Sequence, residues 1–125
     1  MGPTVADHTL MGRTSKALEE LRWALDRGTA PVLVSSAMST GLRSLAKFKS
    51  APRGSRDGDL MREVGVPGWK LRDLREQARG WEPDGIADAI RVVARADADV
   101  KGQASDPSYA LERMVLSIVR LRNGR

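Results

Sequence analysis

Apolar residues recur at every third or fourth position along most of the chain, the spacing that places them on one face of a helix. Glycine follows several of these periodic segments, and proline stands near the start of the next one. The glycine and proline pairs are Gly28 and Pro31, Gly65 and Pro67, Gly80 and Pro83, and Gly102 and Pro107. A left-handed glycine closes a helix, and proline fits the first helical position because its missing N–H would be unpaired there. This punctuation predicts helices over 4–11, 14–27, 31–49, 57 or 59 to 64, 67–79, 83–101 and 106–122.

The predicted fold class is all-α, a compact bundle of about five to seven short helices in a single domain over residues 1–125. The only strand-like run, Val32 to Val34, is too short to count. Hydrophobic residues make up 41% of the chain and aromatic residues 4%, so the core is expected to be aliphatic. Residues 50–59 carry proline, glycine and arginine between two periodic segments, which predicts an exposed basic loop.

Candidate chemistry is sparse. The absence of cysteine excludes disulfides, thiolate zinc sites and cysteine nucleophiles. A lone histidine, His8, cannot build a zinc site, and we expect it at the surface. Ser35 and Ser36 have no general base nearby in the sequence, the carboxylates are dispersed, and no glycine-rich phosphate loop is present. We therefore expect no catalytic residues, no metal and no cofactor in this chain.

The expected compartment follows from two features that the sequence lacks. No apolar run approaches the roughly 20 residues that a membrane span needs, and the N-terminus lacks the pattern of a secretory signal. The cytoplasm is the expected location.

Asp97 falls on the apolar face of its helix, between Val93 and Val100. An unpaired carboxylate away from water is strongly penalised, so this residue needs a partner. Lys101 stands one helical turn later, where an ion pair forms naturally. We predict a structural ion pair between Asp97 and Lys101 at the edge of the core.

Basic residues give the chain a net charge of +5 and a pI of about 10.2. They concentrate in two runs, which are Arg43, Lys47, Lys49, Arg53 and Arg56, and Lys70, Arg72, Arg75 and Arg79. Either run could contact phosphates, and a solvated helix face, an acidic protein partner or arginine-rich usage across a proteome would give the same pattern. Tryptophan at positions such as 69 and 81 more often closes a helical hairpin than stacks on a base.

The sequence at residues 64–70, VGVPGWK, and at residues 77–81, QARGW, resembles a segment of the DNA polymerase III delta subunit family. That segment reads hydrophobic-Gly-hydrophobic-Pro-x-aromatic and then Gln-Ala-Arg-x-aromatic. Residues 96–102 and 106–112 are similar to later parts of the same family, and residues 17–28 with Pro31 match its order. The resemblance covers nearly the whole chain in the right order, although no single motif in it is specific.

The resemblance implies the C-terminal collar domain of a clamp-loader subunit, without the N-terminal domains related to AAA+ ATPases. In the family such domains pack side by side as a ring, and the delta subunit does not hydrolyse ATP. The implied partners are the gamma/tau and delta-prime subunits, the sliding clamp through the N-terminal part, and primed DNA through the complex. A polymerase activity would belong to the holoenzyme, so this chain is expected to be a non-catalytic assembly domain in DNA replication.

Two expectations follow for surfaces. Possible subunit contacts are the apolar residues Trp69, Leu71, Trp81 and Tyr109. The alternative function is a free-standing basic helical domain that binds DNA through the two basic runs.

Overall fold

The computed structural model describes residues 4–102 and 106–124, and within them it contains α-helices and no strands. The helices are α1 (Val5–Leu10), α2 (Thr14–Asp26), α3 (Pro31–Ser50), α4 (Asp57–Val64), α5 (Gly68–Ala78), α6 (Pro83–Lys101) and α7 (Pro107–Arg122). The all-α prediction is confirmed, and each helix begins and ends within one residue of a predicted boundary. Helix α4 takes the earlier of its two predicted starts.

Side chains and prolines fix several helix starts. Helix α1 begins with a capping box, in which the Asp7 N–H donates to Thr4 Oγ1 (3.2 Å) and the Thr4 N–H donates to Asp7 Oδ2 (2.9 Å). Proline opens α3, α6 and α7 at the first helical positions. Pro67 differs from the prediction, because it is extended and precedes α5 instead of starting it.

The glycines that follow helices play two different roles. Gly28 and Gly65 have φ of +94° and +79°, the left-handed conformation expected of them. Gly102 is extended, and Gly80 does not have a positive φ, so for these two the expectation is wrong. Gly80 instead makes room for the Arg122 side chain, because a Cβ at position 80 would overlap the Arg122 guanidinium group.

The core lies where α6 packs against α7 and α3, its two most extensive contacts, and α1 closes one end against α2, α3 and α7. Apart from one tryptophan, the buried hydrophobic side chains are aliphatic residues and methionine, as predicted. The largest of them are Leu10, Leu21, Met38, Leu42, Leu45, Leu71, Leu74, Leu111, Met114 and Ile118. The scarcity of aromatic residues is therefore compensated by leucine and methionine from nearly every helix.

Trp81 is that single aromatic core residue. It follows α5, is only 1% exposed, and its Nε1–H donates to the Leu10 carbonyl oxygen at 3.0 Å. Leu71 is equally buried on the inner face of α5. The expectation that Leu71 and Trp81 contact another subunit is wrong, because both side chains are buried within this domain, Leu71 in the core and Trp81 against the end of α1.

His8 is also buried, with 8% of its surface exposed, so the expectation of a surface histidine is wrong. The reason is that α1 is a short helix wedged among three others, and most of its side chains are covered. Its Nδ1 atom has no hydrogen-bond partner within residues 4–102 and 106–124.

Candidate interaction surfaces

Asp97 makes two contacts. Its ion pair with Lys101 connects two turns of α6, and its hydrogen bond with Ser35 connects α6 to α3. Lys101 Nζ lies 2.6 Å from Asp97 Oδ2, as the sequence predicts. The hydroxyl of Ser35 on α3 donates to Asp97 Oδ1 at 2.7 Å, and Ser35 is fully buried. The hydrogen bonds from Lys101 and then from Ser35 lower the pKa of Asp97 below its usual 3.8. A buried serine hydroxyl needs a polar partner, and the Asp97 carboxylate and the Val32 carbonyl oxygen, at 3.1 Å, are the acceptors within reach of Ser35.

The pKa shift of Asp97 gives a pH-dependent prediction. Because the carboxylate is favoured in the folded state, its contribution to stability is present above about pH 4 and is lost as the pH falls through the folded pKa. We expect Asp97→Asn to have a lower free energy of unfolding than the parent at pH 7. The difference between the two proteins should be smaller at pH 3. Urea unfolding at both pH values measures this, with Asp99→Asn as the control on the exposed face of the same helix. An equal difference in unfolding free energy at both pH values would contradict a stabilising role for the Asp97 carboxylate.

The first basic run, on α3 and the loop after it, is exposed and largely unpaired. Arg43, Lys47, Arg53 and Arg56 make no ion pair with any residue that the structure describes. Lys49 differs, because its Nζ donates to the Ala78 carbonyl oxygen at 3.3 Å and so ties the end of α3 to the end of α5. The free charges of this run stay candidates for phosphate contact.

The second run, on α5, is mostly neutralised by carboxylates. Lys70 Nζ lies 2.8 Å from Asp7 Oδ1, and Arg75 and Arg79 form ion pairs at 2.5 Å with Asp57 and at 3.4 Å with Glu76. Arg72 is exposed and has no ion-pair partner in the described ranges. This run is therefore a weaker candidate for phosphate contact than the first, because each paired cation would have to leave its carboxylate.

Large apolar side chains remain exposed at several places. Trp69 and Tyr109, two of the predicted subunit contacts, are 73% and 58% exposed. Trp23 is 56% exposed and Leu33 is 60% exposed, and neither was predicted at the surface. Trp23 and Leu33 differ from the others because they share one depression in the surface.

That depression, which we call the Trp23 groove, lies between α1, α2 and α3. It encloses about 400 Å³. Its apolar lining consists of Val5, Ala6, Trp23, Ala24, Leu33, Val34 and Ala37, and Glu20 and Arg27 are among its polar residues. The Arg27 guanidinium lies 3.6 Å from the centroid of the Trp23 ring, which fixes the ring by a cation–π contact.

The groove was missed because α3 is apolar on two adjacent sides. The helical spacing in the sequence fits a buried stripe that includes Leu33 and Ala37. The structure instead buries Val34 and Met38, each one residue further on and so about 100° around the helix. Leu33 and Ala37 are left on the surface, where α2 contributes Trp23 beside them.

Other indications of function are few. No cluster of His, Cys, Asp or Glu suited to a metal ion occurs among the residues described, and no helix there is long and apolar enough to cross a membrane. No family model, curated protein or solved structure matches the chain. The surfaces of the bundle and the sequence resemblance are therefore what bears on function.

Proposed function

We propose that this chain is a non-catalytic assembly domain of a DNA polymerase III delta subunit. It packs through helical surfaces against the C-terminal domains of the gamma/tau and delta-prime subunits in the cytoplasmic complex that loads the sliding clamp. The observation that carries the proposal is the Trp23 groove, an apolar depression on a bundle with no metal cluster among its described residues. The sequence resemblance names the partners, and the all-α fold supports the helical collar domain that it implies.

The groove has the composition of a binding hot spot. Single exposed apolar residues are ordinary on protein surfaces, whereas contiguous ones mark interaction sites. Tryptophan is enriched at the energetic centres of interfaces, where a polar rim excludes water from the contact. Here Trp23 and Leu33 supply the apolar centre and Glu20 and Arg27 supply polar groups beside it. A helix face with apolar residues at its centre and charges at its edge fits this arrangement.

A subunit inside a ring has two neighbours, so it needs two different contact surfaces. Trp69, at the start of α5, is 73% exposed and lies outside the Trp23 groove. Met61 of α4 is also partly exposed, and its sulfur lies next to Gly68, the residue before Trp69. We assign this second patch to the other neighbour in the ring.

Size-exclusion chromatography with light scattering tests the proposal. The chain is run alone and then mixed with the C-terminal domains of gamma/tau and delta-prime, each added singly and together. We expect a mixed species whose mass equals a sum of the components, because the apolar surfaces are covered only in the assembly. The partner domains without this chain provide the control. Separate species in every mixture at tens of micromolar would overturn the proposal.

A further inference from the structure

A second groove, lined by arginines, lies between α6 and α7. We call it the Arg95 groove; it encloses about 260 Å³. Arg91, Arg95 and Arg113 line it, and Asp99 is the only carboxylate among its lining residues. Its charge is therefore net positive, although neither of the two basic runs seen in the sequence contributes to it.

Two of the three guanidinium groups are available to a ligand. Arg91 forms an ion pair with Asp88, one turn earlier on α6. Arg95 is exposed and has no ion-pair or hydrogen-bond partner within the described part of the chain. Arg113 Nη1 donates to the Tyr109 hydroxyl at 3.2 Å, and Arg113 has no carboxylate partner among the residues that the structure describes. An anion in the groove could thus bind Arg95 and Arg113 without breaking an existing ion pair.

An exposed aromatic ring stands next to this charge. Tyr109 is 58% exposed, and the Arg113 guanidinium carbon lies 5.7 Å from its ring centroid. The Tyr109 hydroxyl and the Arg113 side chain orient each other through their hydrogen bond. Aromatic rings beside cationic side chains are the elements with which proteins bind single strands, the ring stacking on a base and the cation binding a phosphate.

We infer that the Arg95 groove binds single-stranded nucleic acid, with Arg95 and Arg113 contacting backbone phosphates and Tyr109 stacking on a base. Free phosphate or a phosphorylated peptide would use the arginines but would have no need of the exposed ring. The comparable pair on α5, Lys70 and Trp69, is less suited because Lys70 is already bonded to Asp7. The inference rests on this groove and on Tyr109, which lies beside it and is bonded to Arg113, and it is independent of the proposed assembly function.

Binding of the full chain to a labelled 15-nucleotide oligo-dT, measured by fluorescence anisotropy, tests the inference. The salt concentration is raised from about 25 mM, where attraction between charges is strong. We expect the double variant Arg95→Gln, Arg113→Gln to bind at least about tenfold more weakly than the parent. The matched control is Lys16→Gln, Arg22→Gln, which removes the same charge from two exposed positions on α2 that make no ion pair with a described residue and lie outside the groove and both basic runs. It should bind within about twofold of the parent. Equal weakening in both variants, or no binding by the parent, would overturn the inference.

Two further readouts separate this site from general attraction between charges. Each phosphate contact contributes about −0.7 to the slope of log K against log salt for a single strand, so losing two should reduce that slope by about 1.4. Tyr109→Ala should weaken binding about fivefold or more, whereas Tyr109→Phe, which keeps the stacking ring and loses only the hydrogen bond to Arg113, should weaken it by less than about twofold. Equal affinity of Tyr109→Ala and the parent, or full competition by a phosphopeptide at the oligonucleotide's own concentration, would exclude the nucleic-acid assignment. Circular dichroism confirms that each variant is folded.

Discussion

Trp81→Ala is expected to lower the free energy of unfolding by about 3–5 kcal/mol, the usual cost of removing a buried aromatic side chain. The ring is 1% exposed and its N–H satisfies the Leu10 carbonyl at the end of α1, so the substitution leaves both a cavity and an unpaired acceptor. For a domain with typical stability this loss is a large fraction of the total. Urea unfolding followed by circular dichroism gives the value.

Two matched variants separate the contributions. Trp81→Phe keeps an aromatic ring but leaves the Leu10 carbonyl without its donor, which should cost roughly 1–3 kcal/mol. Trp69→Ala removes the same side chain from a position that is 73% exposed, and it should change stability by no more than about 0.5 kcal/mol. Similar losses for Trp69→Ala and Trp81→Ala would show that Trp81 does not join α1 to the core.

The double variant Trp23→Glu, Leu33→Glu is expected to weaken binding to one partner domain of the clamp loader by at least about 100-fold. Hot-spot residues typically contribute 2 kcal/mol or more each, and about 1.4 kcal/mol corresponds to a tenfold change in affinity. Both residues are more than half exposed in the isolated chain, so the fold should tolerate the charges. Isothermal titration calorimetry against each partner domain singly measures the effect.

Trp69→Glu is the control for this experiment. It places the same charge on an exposed tryptophan outside the Trp23 groove, so affinity for the partner that binds the groove should stay within about twofold of the parent. If the Trp23 and Leu33 variant bound every partner as tightly as the parent, the groove would not be the assembly surface.

Local signals in the sequence were enough to predict the helices. Glycine and proline between periodic segments located the boundaries, because both residues act on the backbone where they stand. The partner of Asp97 on its own helix was predictable for the same reason, since Lys101 follows one turn later. Ser35, 62 residues from Asp97 in the sequence, was not, because only the packing of α3 on α6 brings the two together.

The choice between adjacent faces of a helix was the main error. On α3, apolar residues at 33 and 37 and at 34 and 38 give two stripes of the same period, so periodicity alone does not decide which one is buried. On α5 and after it, Trp69, Leu71 and Trp81 were all candidate subunit contacts, and only Trp69 is exposed. The carbonyl oxygen of Leu10, which accepts the hydrogen bond from the buried indole of Trp81, belongs to a residue 71 positions away in the sequence. The Arg95 groove was missed because its arginines come from two helices and form no run.

Hydroxyl-radical footprinting of the assembled mixture tests the central claim most directly, because Trp23 and Trp69 are both exposed in the isolated chain and report separately by mass spectrometry. The chain is oxidised alone and in complex with one partner domain at a time. We predict that one of these complexes protects Trp23 strongly while Trp69 remains as reactive as before. Unchanged reactivity of Trp23 in every complex that forms would contradict assembly through the Trp23 groove.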